Sequence, residues 1–147
     1  MKTIFRFSVL MAIFAVLFVG CSGDDNNIVG GNVKLSPPSW IQGSWGVDMG
    51  EGYGMFEVLK FTSDDMLILG QSYKTFYGTT TGPGVKFTMK ETKNTNSLYE
   101  ITLTAKAGGD KASGFFSFKK GDGTYIEAMF WEDEDDKVDG YTEYYKM

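Results

Sequence analysis

The sequence predicts an all-β protein, a single antiparallel up-and-down barrel of about eight short strands. Three observations predict this class. Apolar and polar residues alternate with period two along most of the chain after Pro38, as in VKFTMK (85–90) and YEITLTA (99–105). Turn-forming clusters such as SDD, KNTNS and GDG recur about every eight to twelve residues. We find no convincing helical period beyond the first twenty residues.

The strand candidates follow one another with short connections, as a meander requires. They are rich in β-branched or aromatic residues and are separated by turn residues: WGVDM, GMFEVLKFT, MLIL, SYKTFY, VKFTMK, YEITLTA, GFFSFKK, TYIEAMFW and YTEYYK. Such a meander closes either into a barrel or into a sandwich of two sheets. We favour the barrel because closure removes exposed strand edges, which promote aggregation.

The chain divides into three segments. Residues 1–20 carry Lys2 and Arg6 and then an apolar run of fourteen residues, which is typical of a signal peptide and short for a membrane-spanning helix. A membrane anchor helix is the alternative. Residues 21–37 are rich in Gly, Asn, Asp and Ser and indicate a flexible tether. Residues 38–147 form the barrel domain.

The end of the apolar run, FVGC followed by SGDDNN, resembles the lipobox of bacterial lipoproteins. In that family the signal peptide is cut before the cysteine, here Cys21, whose sulfur receives a diacylglyceryl group. Cys21 is also the single cysteine of the chain. The acidic SGDDNN is similar to the export tags of Bacteroidetes-type surface lipoproteins. The resemblance implies an outer-membrane lipoprotein of the cell envelope, displayed at the cell surface and attached to the membrane through Cys21.

Charge and composition exclude several functions. Without Lys2 and Arg6, 12 basic residues face 19 acidic ones, a formal charge of −7. This balance argues against nucleic acid as a partner, because phosphate contacts rely on clustered Lys and Arg. The chain has no His, and an acylated Cys21 leaves no free thiol, which excludes Ser-His and Cys-His catalysis and Cys/His zinc sites. We therefore expect neither an enzyme nor a cofactor.

The stretch PSWIQGSW (38–45) resembles the G-x-W entry of the lipocalins and the wider calycin group, and more closely the small lipocalin-like lipoproteins of Bacteroidetes. The resemblance implies that Gly43 gives clearance for the entering chain and that Trp45 plugs one barrel end. Lipocalins usually stack an Arg over this ring. The mature chain has no Arg, so Lys146 in the last strand is the candidate to make a cation–π contact with Trp45.

The aromatic residues lead to two functional hypotheses. The first is a barrel that binds a small apolar or amphipathic ligand inside. The second is a surface module with a filled interior that binds a protein or a glycan. Six phenylalanines are bulky enough to fill such an interior: Phe56, Phe61, Phe87, Phe116, Phe118 and Phe130. Six amphipathic rings suit a barrel mouth or a binding patch: Tyr73, Tyr77, Trp131, Tyr141, Tyr144 and Tyr145.

Two acidic stretches are candidates for calcium binding or for carboxylate chemistry. EDEDDKVDG (132–140) offers carboxylates for calcium, but Lys137 occupies the fifth position of an EF-hand alignment that starts at Asp133. A solvated loop is the favoured interpretation. Asp64 and Asp65 lie in TSDDM, which indicates a turn. We predict no metal site and expect a monomer.

Overall fold

The computed structural model describes residues 34–75, 85–107, 109–132 and 140–147, and these form an all-β structure. The described residues contain nine strands: β1 (Gly43–Asp48), β2 (Met55–Phe61), β3 (Met66–Ile68), β4 (Gln71–Ser72), β5 (Val85–Asn94), β6 (Leu98–Ala107), β7 (Asp110–Lys120), β8 (Tyr125–Trp131) and β9 (Thr142–Lys146). Each strand candidate of the sequence overlaps one of them. SYKTFY overlaps β4 only at Ser72; residues 73–75 form a short helical turn, so the strand prediction is wrong there, and residues 76–77 lie outside the described part of the chain.

The strands form one antiparallel sheet in the order β4-β3-β2-β1-β9-β8-β7-β6-β5. Consecutive strands pair, except that β4 and β5 do not. Instead β9 returns to pair with β1, so the first and last strands lie side by side near the centre of the sheet. The short strand β4 and the ten-residue strand β5 are the edges. The sheet curls into a half-barrel. The prediction of an all-β, antiparallel meander is confirmed at this level.

One face of the curled sheet, here called the inner face, carries the core. In β6 the inward residues Tyr99, Ile101 and Leu103 are buried, whereas the intervening Glu100 and Thr102 lie on the opposite, outer face. Burial of each large apolar side chain contributes about 1.5–3 kcal/mol to stability. The core residues are Leu35, Ile41, Trp45, Leu59, Phe61, Met66, Tyr73, Met89, Tyr99, Ile101, Leu103, Phe116, Phe118 and Ile126.

The two ends of the sheet differ. At one end, here called the Trp45 end, β1 begins and β9 finishes, and Trp45 pairs with Lys146. At the other, here called the hairpin end, residues 49–54 connect β1 to β2. The β6–β7 connection also lies at the hairpin end, since the strand register places Ala107 and Asp110 farthest from the Trp45 end.

Two details of the strands differ from the sequence prediction. The register of β1 and β2 shifts between Trp45 and Gly46, a bulge that simple alternation does not reveal. In addition, the glycine-rich stretch GGDKASG (108–114) has the composition of a turn, yet β7 already begins at Asp110. Residues 110–114 pair continuously with the end of β6, whose ten residues offer a partner for them.

Candidate functional site

Trp45 seals one end of the sheet. Its side chain is 1% exposed, and its Nε1 donates a hydrogen bond of 2.7 Å to the carbonyl oxygen of Ile41. A turn closed by a 3.0 Å bond from Ile41 N to Pro38 O brings that carbonyl into place. Residues 38–41 therefore form the turn that precedes β1 and carries the acceptor for Trp45. Trp45 acts as a structural plug, because a fully buried indole with a satisfied N–H is unavailable to a ligand.

Lys146 lies against this plug. It pairs with Trp45 across β1 and β9, and its Nζ is 5.8 Å from the centroid of the Trp45 ring. Gly43 lies beside the same lysine: an added Cβ would be 4.0 Å from Lys146 Cε. Gly43 has a φ of 123°, which L-residues rarely adopt. The backbone conformation at position 43 thus requires glycine. Gly46 is required for a different reason: the backbone of β2 passes so close that an added Cβ would lie 2.4 Å from Phe56 O.

A strap formed by residues 34–37 closes the same end. Leu35 and Pro37 are buried, although the sequence placed them in the flexible tether. Ser36 is held by Glu91, which accepts hydrogen bonds from Ser36 N and, at 2.7 Å, from Ser36 Oγ. Asn94 Nδ2 donates to Ser36 O at 2.8 Å. The packed domain therefore includes residues 34–37, and the predicted boundary at Pro38 is too late.

Glu91 also joins the strap to the core. It lies on the inner face of β5 beside a register shift, and it accepts a 2.6 Å hydrogen bond from the hydroxyl of Tyr99. Burial, and secondly the neighbouring Glu91, raise the pKa of Tyr99 well above its ordinary value of 10.0. Trp40 Nε1 adds a 2.8 Å bond to Thr95 O in the adjacent turn. Sequence reasoning missed this cluster, though a lone carboxylate on an apolar strand face was a usable signal.

Aromatic rings fill the inner face. Phe118 is fully buried and has its centroid 5.0 Å from that of Phe61 and 6.0 Å from that of Phe116. Phe130 is half-buried and lies 4.8 Å from Phe116. Phe87 is also half-buried on β5. Phe56 does not fit the expectation of a core residue, since it is 52% exposed at the hairpin end, beyond the β1–β2 bulge.

The amphipathic rings that the sequence grouped together are dispersed. Tyr73 is 6% exposed and meets Phe116 edge-on at 5.9 Å, so it belongs to the core. Tyr144 is half-buried and packs against the core, and burial raises its pKa. Tyr77 lies outside the described residues, as does Cys21. Tyr73 and Tyr144 therefore do not line a common patch with Trp131, Tyr141 and Tyr145.

Trp131, Tyr141 and Tyr145 lie on the outer face, where Trp131 stacks on Phe115 at 5.4 Å with 11° between the ring planes. Lys119 Nζ lies 3.6 Å from the centroid of the Tyr141 ring, whose hydroxyl is 3.0 Å from Ser117 Oγ. Tyr145 is 42% exposed. Its hydroxyl donates to Glu143, and this carboxylate raises the pKa of Tyr145.

Among the described residues, the most exposed apolar cluster was not singled out from the sequence. It is the tip of the β1–β2 hairpin, defined by Met49, Tyr53, Met55 and Phe56, of which Tyr53 is 84% exposed. Bonds from Met49 N to Gly54 O (3.0 Å) and from Tyr53 N to Gly50 O (3.2 Å) order the connection. Gly50, Gly52 and Gly54 all have positive φ, a conformation that favours glycine. The glycines in GEGYG were the available signal.

Leu69, in the turn between β3 and β4, is another exposed apolar side chain. It is 62% exposed and has a φ of 50°, unusual for a branched residue. Its N–H donates to Val58 O at 2.9 Å, which places it beside the middle of β2. A left-handed backbone conformation costs free energy for a leucine, and an exposed side chain recovers little of that cost by packing. Folding alone therefore does not favour leucine at this position.

Asp64 and Asp65, in the turn between β2 and β3, bind to the chain that follows them. Asp65 Oδ1 accepts bonds from Met66 N (2.8 Å) and Lys74 N (3.0 Å), and its Oδ2 accepts one from Ser72 Oγ. Asp64 forms a 2.6 Å ion pair with Lys74, which lowers the pKa of Asp64. Glu132 is exposed, and residues 133–139 of the acidic run lie outside the described residues. Within the residues the structure describes, no group of three or more acidic, His or Cys residues is arranged to hold a metal.

Comparison with known proteins gives no relative: no protein-family model matches the chain, and no curated protein or solved structure matches it. In the described part of the chain, no helix has the length and apolar character needed to cross a membrane.

Proposed function

We propose that this chain is a lipid-anchored module of the cell envelope that binds a partner protein through the tip of its β1–β2 hairpin. The observation that carries the proposal is the exposure of four large apolar side chains at one tip. Met49 is 56% exposed, Tyr53 84%, Met55 39% and Phe56 52%. Clustered apolar side chains at the surface are typical of interaction sites, whereas isolated ones are not.

The filled inner face supports binding outside rather than inside. Phe118 contacts both Phe61 and Phe116, and Tyr99 lies 6.3 Å from both Phe61 and Phe118. An interior lined by about eight strands holds either its own side chains or a small ligand. The internal ligand therefore has less support than the surface site, and it stays a prediction that the same experiments can test.

The position of the strap supports a tip directed away from the membrane. Ser36 is fastened to Glu91 and Asn94 at the Trp45 end of β5. The chain that leads back to Cys21 therefore leaves the domain from that end, and the tip lies at the opposite one. Acylation of Cys21, which we propose from its lipobox, attaches the domain stably, because two acyl chains are enough for stable anchoring.

Charge favours a protein surface over a lipid surface as the partner of the tip. Asp48, Glu51 and Glu57 flank the exposed apolar residues, and the first two are exposed. Membrane-binding tips usually carry basic flanks, because the headgroups of many lipids are anionic. The acidic flanks would oppose such contact, whereas a partner protein with a basic rim around an apolar pocket would complement them.

We also propose that the domain is a lipocalin-like up-and-down barrel. The supporting observation is that β9 pairs with β1 while every other neighbour follows chain order. Trp45 at the start of β1 pairs with Lys146 in β9, which supports the barrel-end contact that the lipocalin resemblance predicts. An experimental structure of the mature chain would test closure by showing whether β4 and β5 are joined.

The test of the partner site is site-specific photocrosslinking in the cells that make this protein. A photoreactive phenylalanine analogue replaces Tyr53 or Phe56 in the full chain, and the matched control replaces Asp122, an exposed residue of the β7–β8 turn at the Trp45 end. We expect discrete protein adducts from positions 53 and 56 that the control at 122 does not form. Mass spectrometry then identifies each adduct as protein or lipid.

Two results would contradict the proposal. The first is an adduct pattern that is the same at all three positions, because it would indicate random encounters. The second is exclusive crosslinking of the tip to lipid. Native mass spectrometry of the mature chain with envelope lipid extracts supplies the complementary measurement: a ligand retained in equal amounts by the parent and by a Tyr53→Ser/Phe56→Ser variant would favour the internal site.

A further inference from the structure

Three lysines form a row on the outer face near the hairpin end. Lys86 of β5 pairs with Lys106 of β6, and Lys106 pairs in turn with Lys111 of β7. All three are exposed. Neighbouring strands are about 4.8 Å apart, so the three side chains leave the sheet within about 10 Å of one another. We call Lys86, Lys106 and Lys111 the lysine row.

This arrangement opposes folding electrostatically. Like charges directly opposite each other on neighbouring strands destabilise a sheet. Within the described residues, the ion pair present joins Lys74 to Asp64 and involves no member of the row. The chain carries a net charge of −5, so an abundance of basic residues does not explain their alignment. A row of lysines without an ion-pair partner among the described residues is suited to an anion that neutralises all three charges.

The next rows of the same face are polar and then aromatic. Thr88, Thr104 and Ser113 pair across β5, β6 and β7, one row farther from the hairpin end. The following row contains Lys90 and Thr102 and continues into the stacked pair of Phe115 and Trp131. Successive outward residues along a strand are about 6.8 Å apart, so one elongated ligand can reach all three rows.

Cationic, hydroxyl and aromatic groups on one face correspond to the chemistry of an acidic carbohydrate. Sugar rings offer C–H surfaces that pack on aromatic rings, and their hydroxyls bond to Thr and Ser side chains. Carboxylates or sulfates along the chain would meet the lysine row through charge-assisted hydrogen bonds. In the described part of β5, β6 and β7 no large hydrophobic side chain is strongly exposed, which disfavours a membrane surface as the occupant.

We infer that the outer face of β5–β8 binds an acidic polysaccharide, with its anionic groups along the lysine row and a sugar ring against the Phe115–Trp131 pair. The site is separate from the hairpin tip, which lies on β1 and β2, and the inference stands or falls independently of the proposed protein partner. Lys119 Nζ lies 3.6 Å from the centroid of the Tyr141 ring. Because the lysine covers that ring, Tyr141 is not part of the site.

The test measures binding of the mature chain to named polysaccharides by calorimetry and affinity electrophoresis. The probes are polygalacturonate and chondroitin sulfate, with uncharged dextran as the control and phosphatidylglycerol vesicles as the lipid comparison. One variant replaces the row, Lys86→Gln/Lys106→Gln/Lys111→Gln. The matched variant removes three exposed lysines elsewhere, Lys34→Gln/Lys60→Gln/Lys120→Gln, and so has the same net charge.

We expect the row variant to lose about tenfold or more in affinity for at least one acidic polysaccharide, and the matched variant to lose no more than about twofold. Affinity should fall with added salt, and less steeply in the row variant. Trp131→Ala should weaken binding even at high salt. The row variant should unfold at the same temperature as the parent or higher, since its like charges are removed.

Three outcomes would overturn the inference. One is that the parent binds neither acidic polysaccharide more tightly than dextran. Another is equal loss in the two triple variants, which would make the effect one of net charge alone. The third is binding to the vesicles without binding to either polysaccharide, which would assign the row to a lipid headgroup.

Discussion

Lys146 lies directly opposite Trp45 in the neighbouring strand, with its Nζ 5.8 Å from the centroid of the indole ring. The distance is close to the limit of about 6 Å for a cation–π contact, so we expect its contribution at the low end of about 0.5–1 kcal/mol. Lys146→Gln should therefore lower the free energy of unfolding by about 0.5 kcal/mol, and Lys146→Arg should not. Urea unfolding measures both variants.

Trp45 itself contributes far more than this contact. Its fully buried ring and its 2.7 Å bond to Ile41 O indicate that Trp45→Ala lowers the free energy of unfolding by about 3–5 kcal/mol.

The control for Lys146→Gln is Lys120→Gln, which removes one positive charge from an exposed lysine of β7. Equal effects of Lys146→Gln and Lys120→Gln would show that the lysine acts by charge alone.

Gly46 is the position where the sheet tolerates no side chain. A Cβ there would lie 2.4 Å from Phe56 O and 2.9 Å from the sulfur of Met147. Gly46→Ala should force β1 and β2 apart and cost about 1–3 kcal/mol. Gly109→Ala is the matched control, because an added Cβ there meets nothing within 4 Å. Thermal unfolding that fails to separate the two variants would contradict this role.

The alternation of apolar and polar residues predicted the strands correctly, because successive side chains of a strand point to opposite faces and the sequence shows this period of two. Met89 and Leu103, for example, alternate with polar neighbours and pair on the inner face. The exposure of Phe56 escaped this reasoning because the bulge between β1 and β2 depends on how two strands pair, which a single segment does not specify.

The packing of the strap against the sheet was not predicted, for a different reason. Leu35 and Pro37 lie in a segment whose composition is that of a tether, and what buries them is contact with residues far along the chain. Glu91, 55 residues from Ser36, fastens the segment. The lysine row likewise becomes visible only once the registers of β5, β6 and β7 are known, since its members are far apart in sequence.

Asp65 fastens the chain that carries Tyr73 into the core. Its carboxylate accepts bonds from Met66 N, Ser72 Oγ and Lys74 N. Hydrogen bonds to a charged group contribute about 1.5–3 kcal/mol, so Asp65→Ala should destabilise the domain by at least about 1.5 kcal/mol. Urea unfolding provides the measurement, and the neighbouring Asp64 provides the control.

The control works because Asp64 is solvent-exposed in its ion pair with Lys74, and exposed pairs contribute little to stability. Asp64→Ala should therefore be almost neutral. If the two alanine variants lose the same stability, the turn acts as a solvated loop and Asp65 has no special role.

Tyr99 should make the domain sensitive to alkaline pH. Burial and the adjacent Glu91 raise its pKa in the folded state above the ordinary 10.0, so the folded protein retains the phenolic proton where the unfolded chain loses it. The stabilisation is complete below about pH 10 and declines as the pH rises further, because the native state then binds more protons than the unfolded state. The urea midpoint should fall between about pH 8 and about pH 11.

Tyr99→Phe tests the assignment. The variant should be less stable at neutral pH, because Glu91 loses a donor at 2.6 Å, but its midpoint should fall less at alkaline pH. Some decline should persist, since burial raises the pKa of Tyr144 as well. An alkaline decline as large as that of the parent would show that other groups are responsible.

Leu69 combines backbone strain with exposure, and the two can be separated by substitution. At a φ of 50° a leucine is strained by about 1–2 kcal/mol, whereas asparagine tolerates this region better. Because Leu69 is 62% exposed, Leu69→Asn loses little packing and should raise the free energy of unfolding by about 1 kcal/mol. Met49→Asn, at 56% exposure and without a positive φ, should bring no such gain.

The same pair of variants tests whether the strain serves binding. If Leu69 extends the apolar surface of the hairpin tip, both substitutions should reduce crosslinking from position 53, although only one of them stabilises the fold. A more stable protein with weaker partner contact is the pattern expected when a strained residue is kept for function. Unchanged crosslinking in Leu69→Asn would restrict the partner surface to the hairpin tip and leave the conformation of Leu69 without a role in binding.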